Sequence, residues 1–395
     1  MTFRRKILLG ILLPVSLTSC LFAAPPADPP LTATAQSSVT VSPPTATLPP
    51  TPSIPVQTKL AWFYKPPLDD NDLLILAGEF DFFILTRGDE DERDRLLALG
   101  AEQPILQYLR FDAIQALEDC EARPRRNQAA YRAGDYCRIS QEHPDWFLLD
   151  RSGARIFQPF EDQAYVMMDP GNPGWRDFFL ERVRDSQSDP NWGGVFLDNF
   201  EVTFAFRESD GEFPLAYADE AGYLAASQGM LEYLQREYFQ PNRKPLFANI
   251  AARKDDAYWM NYLANLDGAM YEGWAVDWPD RFRPADRWEK QMTLAEETQA
   301  AGKFIILVSQ GRQADVEVQR FAYASYLLVN NGRAAFRYGN SANYREAWFY
   351  SNYDLDLGQP LGPRYRDGDS WRRDFVNGNV MVNPETHEAS ITVKD

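Results

Sequence analysis

The sequence predicts an α/β protein, a (β/α)8 barrel with a long insertion after its third strand and a small C-terminal β extension. Three observations carry this expectation. Eight short apolar or aromatic runs alternate with longer stretches of helical periodicity, the pattern of a parallel sheet with crossover helices. Eight such units in one chain close into a barrel more readily than they open into a doubly wound sheet. No G-x-G-x-x-G follows the first strand, as a dinucleotide-binding fold would need.

The eight runs are Leu60–Tyr64, Phe80–Thr86, Pro104–Phe111, Gly194–Phe200, Pro245–Ile250, Gly268–Trp274, Phe304–Gln310 and Ala334–Tyr338. Amphipathic helices are expected between them, among them Asp91–Leu99, Trp175–Ser186, Glu220–Tyr238, Asp256–Asn265, Arg287–Ala301 and Val316–Leu328. The insertion runs from Asp112 to about Pro170 and contains a hairpin signal, Trp146–Asp150 and Ala154–Phe157 around Arg151-Ser152-Gly153. As a βα loop it must rise on the catalytic face of a barrel. After the eighth strand, Trp371–Val376 and Val380–Val382 flank Asn377-Gly378-Asn379, a second hairpin signal.

Ahead of the barrel, Arg4, Arg5 and Lys6 precede an uncharged apolar run from Ile7 to Ser19 that is short for a bilayer span and reads as an export signal. The run ends in Leu17-Thr18-Ser19-Cys20, which resembles the bacterial lipobox, so Cys20 is the expected lipidation site and residues 1–20 the signal. An ordinary secretory peptide cut nearby is the competing reading. Residues 21–57 hold ten of the 28 prolines and a single charge, Asp28, and are expected to be an unfolded Pro/Thr-rich tether. Residues 58–395 form the barrel domain. The expected location is extracytoplasmic, on the bacterial cell membrane, with the membrane met through the lipid alone.

A net charge of −17 disfavours a nucleic-acid partner, because phosphates would be repelled. With Cys20 set aside, Cys120 and Cys137 are an even pair in an oxidising compartment, and a disulfide between them is expected; two free buried thiols are the alternative. A monomer is expected.

In a barrel of this kind, chemistry sits at the C-terminal ends of the strands. Those ends carry Trp62 and Tyr64, then Gln107, Tyr108 and Arg110, then Asp198 and Asn199, Asn249, Tyr271, Glu272 and Trp274, Ser309 and Gln310, and last Arg337 and Tyr338. A carboxylate directly after Val195-Phe196-Leu197, and another after Ala269-Met270-Tyr271, is costly to bury unless hydrogen-bonded or used. Asp198 and Glu272, from strands four and six, face each other across such a mouth. One could protonate a leaving glycosidic oxygen while the other attacks or activates water. Glu272, walled by Trp274, is the expected proton donor, and Asp198 the ionised partner. Trp62, Tyr64, Trp274 and Tyr338 offer stacking faces for sugars, Arg110, Asn199, Asn249, Gln310 and Arg337 offer hydroxyl-reading groups, and Tyr108 is a further candidate for substrate binding. Each residue has a structural alternative. Asp198 could cap a turn, Glu272 could form an internal salt bridge, and the aromatics could be core. Asp169 is expected to cap the helix after it.

The chain has two histidines, His143 and His387, neither at a barrel strand end, and no H-E-x-x-H or G-x-S-x-G pattern. No metal and no cofactor is therefore expected.

The runs Gly193-Gly194-Val195-Phe196-Leu197-Asp198-Asn199 and Met270-Tyr271-Glu272-Gly273-Trp274, with Trp371-Arg372-Arg373-Asp374-Phe375-Val376-Asn377-Gly378 and Val382-Asn383-Pro384, carry a family resemblance. The chain resembles the bacterial TIM-barrel glycosyl hydrolases related to the endo-α-1,4-polygalactosaminidase family and, more distantly, the α-amylase-like barrels. The resemblance implies a catalytic pair at Asp198 and Glu272 and a poly- or oligosaccharide substrate. A non-catalytic carbohydrate-binding protein on a degenerate barrel is the reading from another class.

Overall fold

The computed structural model describes residues 56–67, 69–102, 104–160, 163–201, 214–251, 257–277, 281–340 and 342–394. The expected signal, Cys20 and almost all of the tether lie outside the described residues.

Each of the eight apolar runs forms a strand: Ala61–Tyr64, Phe82–Thr86, Ile105–Arg110, Gly194–Glu201, Leu246–Ala251, Gly268–Glu272, Phe304–Gly311 and Ala334–Asn340. They pair in parallel in chain order. The ring is joined by a parallel bridge between Leu60 and Phe336, with the Phe336 N–H donating to the Lys59 carbonyl at 2.9 Å.

Strand side chains alternate between two faces, and a barrel turns one face inward. The interior is packed by Ala61 and Phe63, Phe82 and Ile84, Leu106 and Tyr108, Phe196, Phe247, Met270, Ile306, Val308 and Ala335. At its N-terminal end, Phe82 stacks on Phe304 at 5.3 Å between ring centroids and tilts against Phe247 at the same distance. The opposite face of the same strands meets the helices in a larger cluster that includes Trp62, Leu85, Leu109, Leu197, Ala248, Ala269 and Leu307.

The helices fall close to their expected spans, at Glu90–Ala98, Pro173–Ser186, Ala257–Leu263, Ala285–Ala300 and Val316–Val329. The long expected helix after strand four is α-helical over Glu220–Leu234 and then widens to five π-helical residues, Gln235–Phe239. One more helix, Asp70–Glu79, joins the first two strands. Leu74 and Ile75 are exposed on it, so apolar spacing does not reveal it. The helix after the insertion is capped by Asn172, whose Oδ1 accepts from the Gly174 and Trp175 N–H groups at 2.9 and 3.2 Å. Asp169 is not the cap; it accepts from the Gly171 N–H and the Tyr217 hydroxyl.

Within the insertion, Ala113–Gln115, Gln163–Met167 and Phe157–Phe160 form a three-stranded antiparallel sheet in that order. The expected hairpin forms in short form: Leu149 bridges Arg155, the Asp150 and Ile156 N–H groups donate to the Ala154 and Leu148 carbonyls at 2.8 and 3.0 Å, and Asp150 Oδ1 accepts from the Ser152 and Ala154 N–H groups in the turn. The longer ladder forms one step later in the chain. Cys120 and Cys137 are disulfide-bonded, with Cα atoms 5.7 Å apart, across the start of a helix at Asp135–Glu142. The loop they close is pinned to strand three, because Arg110 N–H donates to the Asn127 carbonyl at 2.7 Å.

The tail forms more than a hairpin. Tyr365–Asp367, Ser370–Phe375, Gly378–Asn383 and Glu388–Val393 make a four-stranded antiparallel sheet. It covers the outer side of helix Val316–Val329, which explains why every residue from Phe321 to Val329 is buried. Arg373 reaches from this sheet to the helix end and donates to the carbonyls of Leu327, Leu328 and Asn330 at 2.7–3.2 Å. These are carbonyls that a helix terminus leaves without partners.

Candidate active site

Strand parity assembles the site. Phe196, Phe247 and Met270 point into the barrel, so the residues two positions later, Asp198, Asn249 and Glu272, enter one layer nearer the C-terminal mouth. Tyr108 joins them from strand three. A cavity of about 200 Å³ opens there, floored by Phe63, Phe196 and Met270, walled by Tyr64, Tyr108 and Tyr344, and crossed by Asp198, Asn199, Asn249 and Glu272.

The two carboxylates are linked by one amide. Asn249 Nδ2 donates to Asp198 Oδ1 at 3.1 Å and to Glu272 Oε2 at 2.9 Å, which holds those two oxygens within about 6 Å of each other. Asp198 Oδ2 accepts a second bond from the Tyr108 hydroxyl. Burial, and then the Asp198 charge, push the Tyr108 pKa well above its ordinary value, so this phenol stays a donor. Asp198 is half-buried and Glu272 exposed.

The backbone beside both carboxylates departs from regular strand. A bulge falls between Leu197 and Phe200, with Asn199 at φ 58°. After Glu272 the chain turns through Gly273 and through Ala275 at φ 55°. Gln291 fixes that turn, its Nε2 donating to the Gly273 carbonyl at 3.0 Å and its Oε1 accepting from the Ala275 N–H at 2.9 Å. Tyr64, at φ 84°, is also in the left-handed region, uncommon for a bulky aromatic residue. It is hydrogen-bonded to Asn127, which brings the disulfide-closed loop to the mouth.

The structure gathers Tyr64, Tyr108, Asp198, Asn199, Asn249 and Glu272 around the cavity. It places other expected binding residues elsewhere. Trp62 and Tyr338 lie on the outward parity of their strands and are buried beneath helices and loops. Trp274 is fully buried, its indole N–H donating to the Ala322 carbonyl at 3.2 Å, so it packs into the outer core, and Glu272 stands exposed rather than desolvated. Arg110 is buried in an ion pair with Asp112 at 2.8 Å and donates to Gln158 of the insertion. Arg337 is buried too, donating to the Phe63 carbonyl at 3.0 Å and the Tyr344 carbonyl at 2.7 Å. Gln310 stands behind Tyr344, its Nε2 donating to the Tyr344 hydroxyl at 3.1 Å. Tyr344 itself lies in the loop after strand eight, where no periodicity marks it out.

The profile of hypothetical glycosyl hydrolase family 15 matches residues 104–379, well over half of the chain. No curated protein sequence matches it. Among solved structures, the glycoside hydrolase domain of PelA from Pseudomonas aeruginosa aligns at 15% identity and a TM-score of 0.48, covering 74% of this chain and 97% of that one. The maltogenic α-amylase AmyB from Thermotoga neapolitana aligns at 10% identity and a TM-score of 0.45, covering 82% and 85%. On the strength of the matched profile, the chain belongs to hypothetical glycosyl hydrolase family 15 and is a glycoside hydrolase.

Proposed function

We propose that the enzyme cleaves a polysaccharide by a retaining double displacement, with Asp198 as nucleophile and Glu272 as acid/base. The observation that carries this reading is the Asn249 amide bonded to both carboxylates. Retaining enzymes hold their two carboxyl groups about 5–5.5 Å apart, whereas inverting ones leave about 6.5–9.5 Å for a water between them. A limit of about 6 Å on the bridged oxygens fits the first class.

The environments divide the roles. Asp198 accepts from both Tyr108 and Asn249, one bond to each oxygen, which fixes its carboxyl group in the cavity beneath the mouth. It would attack the anomeric carbon while Glu272, at the exposed rim, passes its proton to the departing glycosidic oxygen. In the second step Glu272 takes a proton from water, the water oxygen bonds to the anomeric carbon, and Asp198 leaves as a carboxylate into the same two hydrogen bonds. We further propose that Cys20 carries a lipid and that residues 21–57 hold the barrel domain, residues 58–395, off the bacterial cell membrane as a monomer.

The test is kinetic. Full-length protein is screened for reducing-end release from α-glucans, β-glucans and amino-sugar polymers, and the anomer formed first is read by NMR. Glu272→Gln should lower turnover of the polymer ~10²–10⁴-fold while sparing activated aryl glycosides, and Asp198→Asn should silence both. Wild-type turnover in either variant, or an inverted first anomer, would overturn the assignment.

A further inference from the structure

Two rings with no part in bond making, Tyr64 and Tyr344, meet at the cavity. Tyr64 and Tyr344 stand edge to face, with ring centroids 6.0 Å apart and planes at 80°. At that spacing no sugar ring enters between them. They form a corner, open to the cavity, against which a ring can lie. Tyr344 also packs on Phe63 at 5.4 Å, and Tyr64 on Tyr108 at 4.8 Å, so each wall is backed by another ring.

Both walls depend on Arg337. This buried guanidinium bonds the Phe63 carbonyl, next to Tyr64 in the chain, and the Tyr344 carbonyl. The loop bearing Tyr344 is tied a second time, through Arg345 Nε to the Pro66 carbonyl at 3.0 Å, just beyond strand one. The protein therefore holds one tyrosine in a strained backbone conformation and folds a loop back over the mouth to set another beside it. Packing alone asks for neither.

We propose that Tyr64 and Tyr344 form a ring-stacking corner for the sugar bound beside Asp198 and Glu272, with the Tyr344 hydroxyl donating to that sugar and Arg337 as its positioning residue. The inference rests on the glycosidase reading and adds to it a named subsite. Pyranose C–H faces pack on aromatic rings through apolar contact and dispersion, which suits a rigid corner of two phenols. The Tyr344 oxygen already accepts from Gln310, which leaves its own proton to give. Burial, followed by the charges of Glu272 and Asp198, raises the Tyr344 pKa, so that proton remains in place over the working range of a glycosidase.

Saturation-transfer NMR on the full-length protein tests this with the methyl α- and β-pyranosides of glucose, galactose, mannose and N-acetylglucosamine, none of which requires turnover. At least one should show saturation concentrated on the C–H protons of one ring face. Tyr344→Ala and Tyr64→Ala should each weaken its binding about tenfold, and Tyr344→Phe should keep the saturation pattern while weakening binding about three- to tenfold, the worth of one hydrogen bond. Arg337→Gln should match Tyr344→Ala in affinity with its near-UV circular dichroism intact. If an alanine or glutamine variant fails to fold, Tyr344→Phe decides, and unchanged affinity there removes the donor. Absence of saturation for all eight glycosides in the wild type, or wild-type affinity in Tyr344→Ala, would overturn the corner. The catalytic reading stands or falls separately, on turnover by the Asp198 and Glu272 variants.

Discussion

The two ends of the barrel spend their polar groups differently. At the N-terminal end, side chains from the helix-to-strand loops bond to the backbone where strands begin. Asp81 accepts from the Leu60 N–H at 2.8 Å, Asp267 accepts from the Leu246 N–H at 2.9 Å, and Lys303 donates to the Leu266 carbonyl at 2.6 Å. Lys244 donates to the carbonyls of Gln187 and Trp192 at 3.0 and 2.8 Å, just ahead of strand four. At the C-terminal end, Tyr108, Asp198, Asn249 and Glu272 bond to one another around a cavity. Backbone strain follows the same division: Tyr64, Asn199 and Ala275 take positive φ at the mouth, while below, Gly100 and Gly302 do so without strain. One end closes the ring of strands, and the other is built at some cost to stability. Such an arrangement belongs to a site.

The sharpest way to break this comparison is to remove the bridge at the mouth. Asn249→Ala leaves Asp198 with Tyr108 alone and frees the two carboxylates from each other. A fall in kcat/KM of about a hundredfold is expected, ~2.7 kcal/mol of transition-state stabilisation, with little change in melting temperature. Unchanged kcat/KM together with a large thermal loss would make Asn249 one more structural tie.

Lys244→Met is the counterpart below. It keeps the length of the stem and removes three hydrogen bonds, to the carbonyls of Gln187 and Trp192 and to Gln187 Oε1. Stranded, partly buried carbonyls cost ~1–3 kcal/mol, so denaturant unfolding should shift by that amount while kcat/KM of the folded protein holds. A loss of activity larger than the loss of stability would show that the lower end is coupled to the site.

The sequence reveals the strands because each is a short apolar run whose neighbours carry helix periodicity, and it reveals Asp198 and Glu272 because a carboxylate ending such a run is anomalous. The parity of a strand is harder to read. Trp62 sits between Ala61 and Phe63, and nothing in Leu60–Tyr64 alone says which set faces inward; register with Phe82–Thr86 decides, and it turns Trp62 outward. Tyr338 is turned outward likewise, beside an inward Arg337. Trp274 follows a left-handed glycine, so alternation no longer applies to it. Tyr344 is hidden for a different reason. It reaches the cavity through a loop whose path is set by Arg337 and Arg345, tertiary contacts that leave no local pattern.

The smallest effect tests the contrast at the lower end, where a side-chain-bearing residue, Arg243, also takes positive φ. Helices end below through a common pair of bonds. After Glu90–Ala98, Gly100 N–H donates to the Leu97 carbonyl and Ala101 N–H to the Leu96 carbonyl. After Ala285–Ala300, Gly302 and Lys303 donate to Gln299 and Thr298 in the same way. Arg243 and Lys244 repeat the pattern with the carbonyls of Gln240 and Phe239, but the left-handed position, φ 53°, is held by an exposed arginine. A left-handed conformation costs a side-chain-bearing residue roughly 1–2 kcal/mol, of which the greater freedom of glycine in the unfolded chain returns part. Arg243→Gly should therefore stabilise the protein by ~0.5–1 kcal/mol, read as a higher denaturant midpoint at unchanged slope, and leave kcat/KM as it was. Gly substitution at Tyr64 trades the same relief against the aromatic wall, and there activity should fall. If Arg243→Gly destabilised the fold, the arginine side chain would have a structural task below, and the strain there would be offset by its contacts as it is at the mouth.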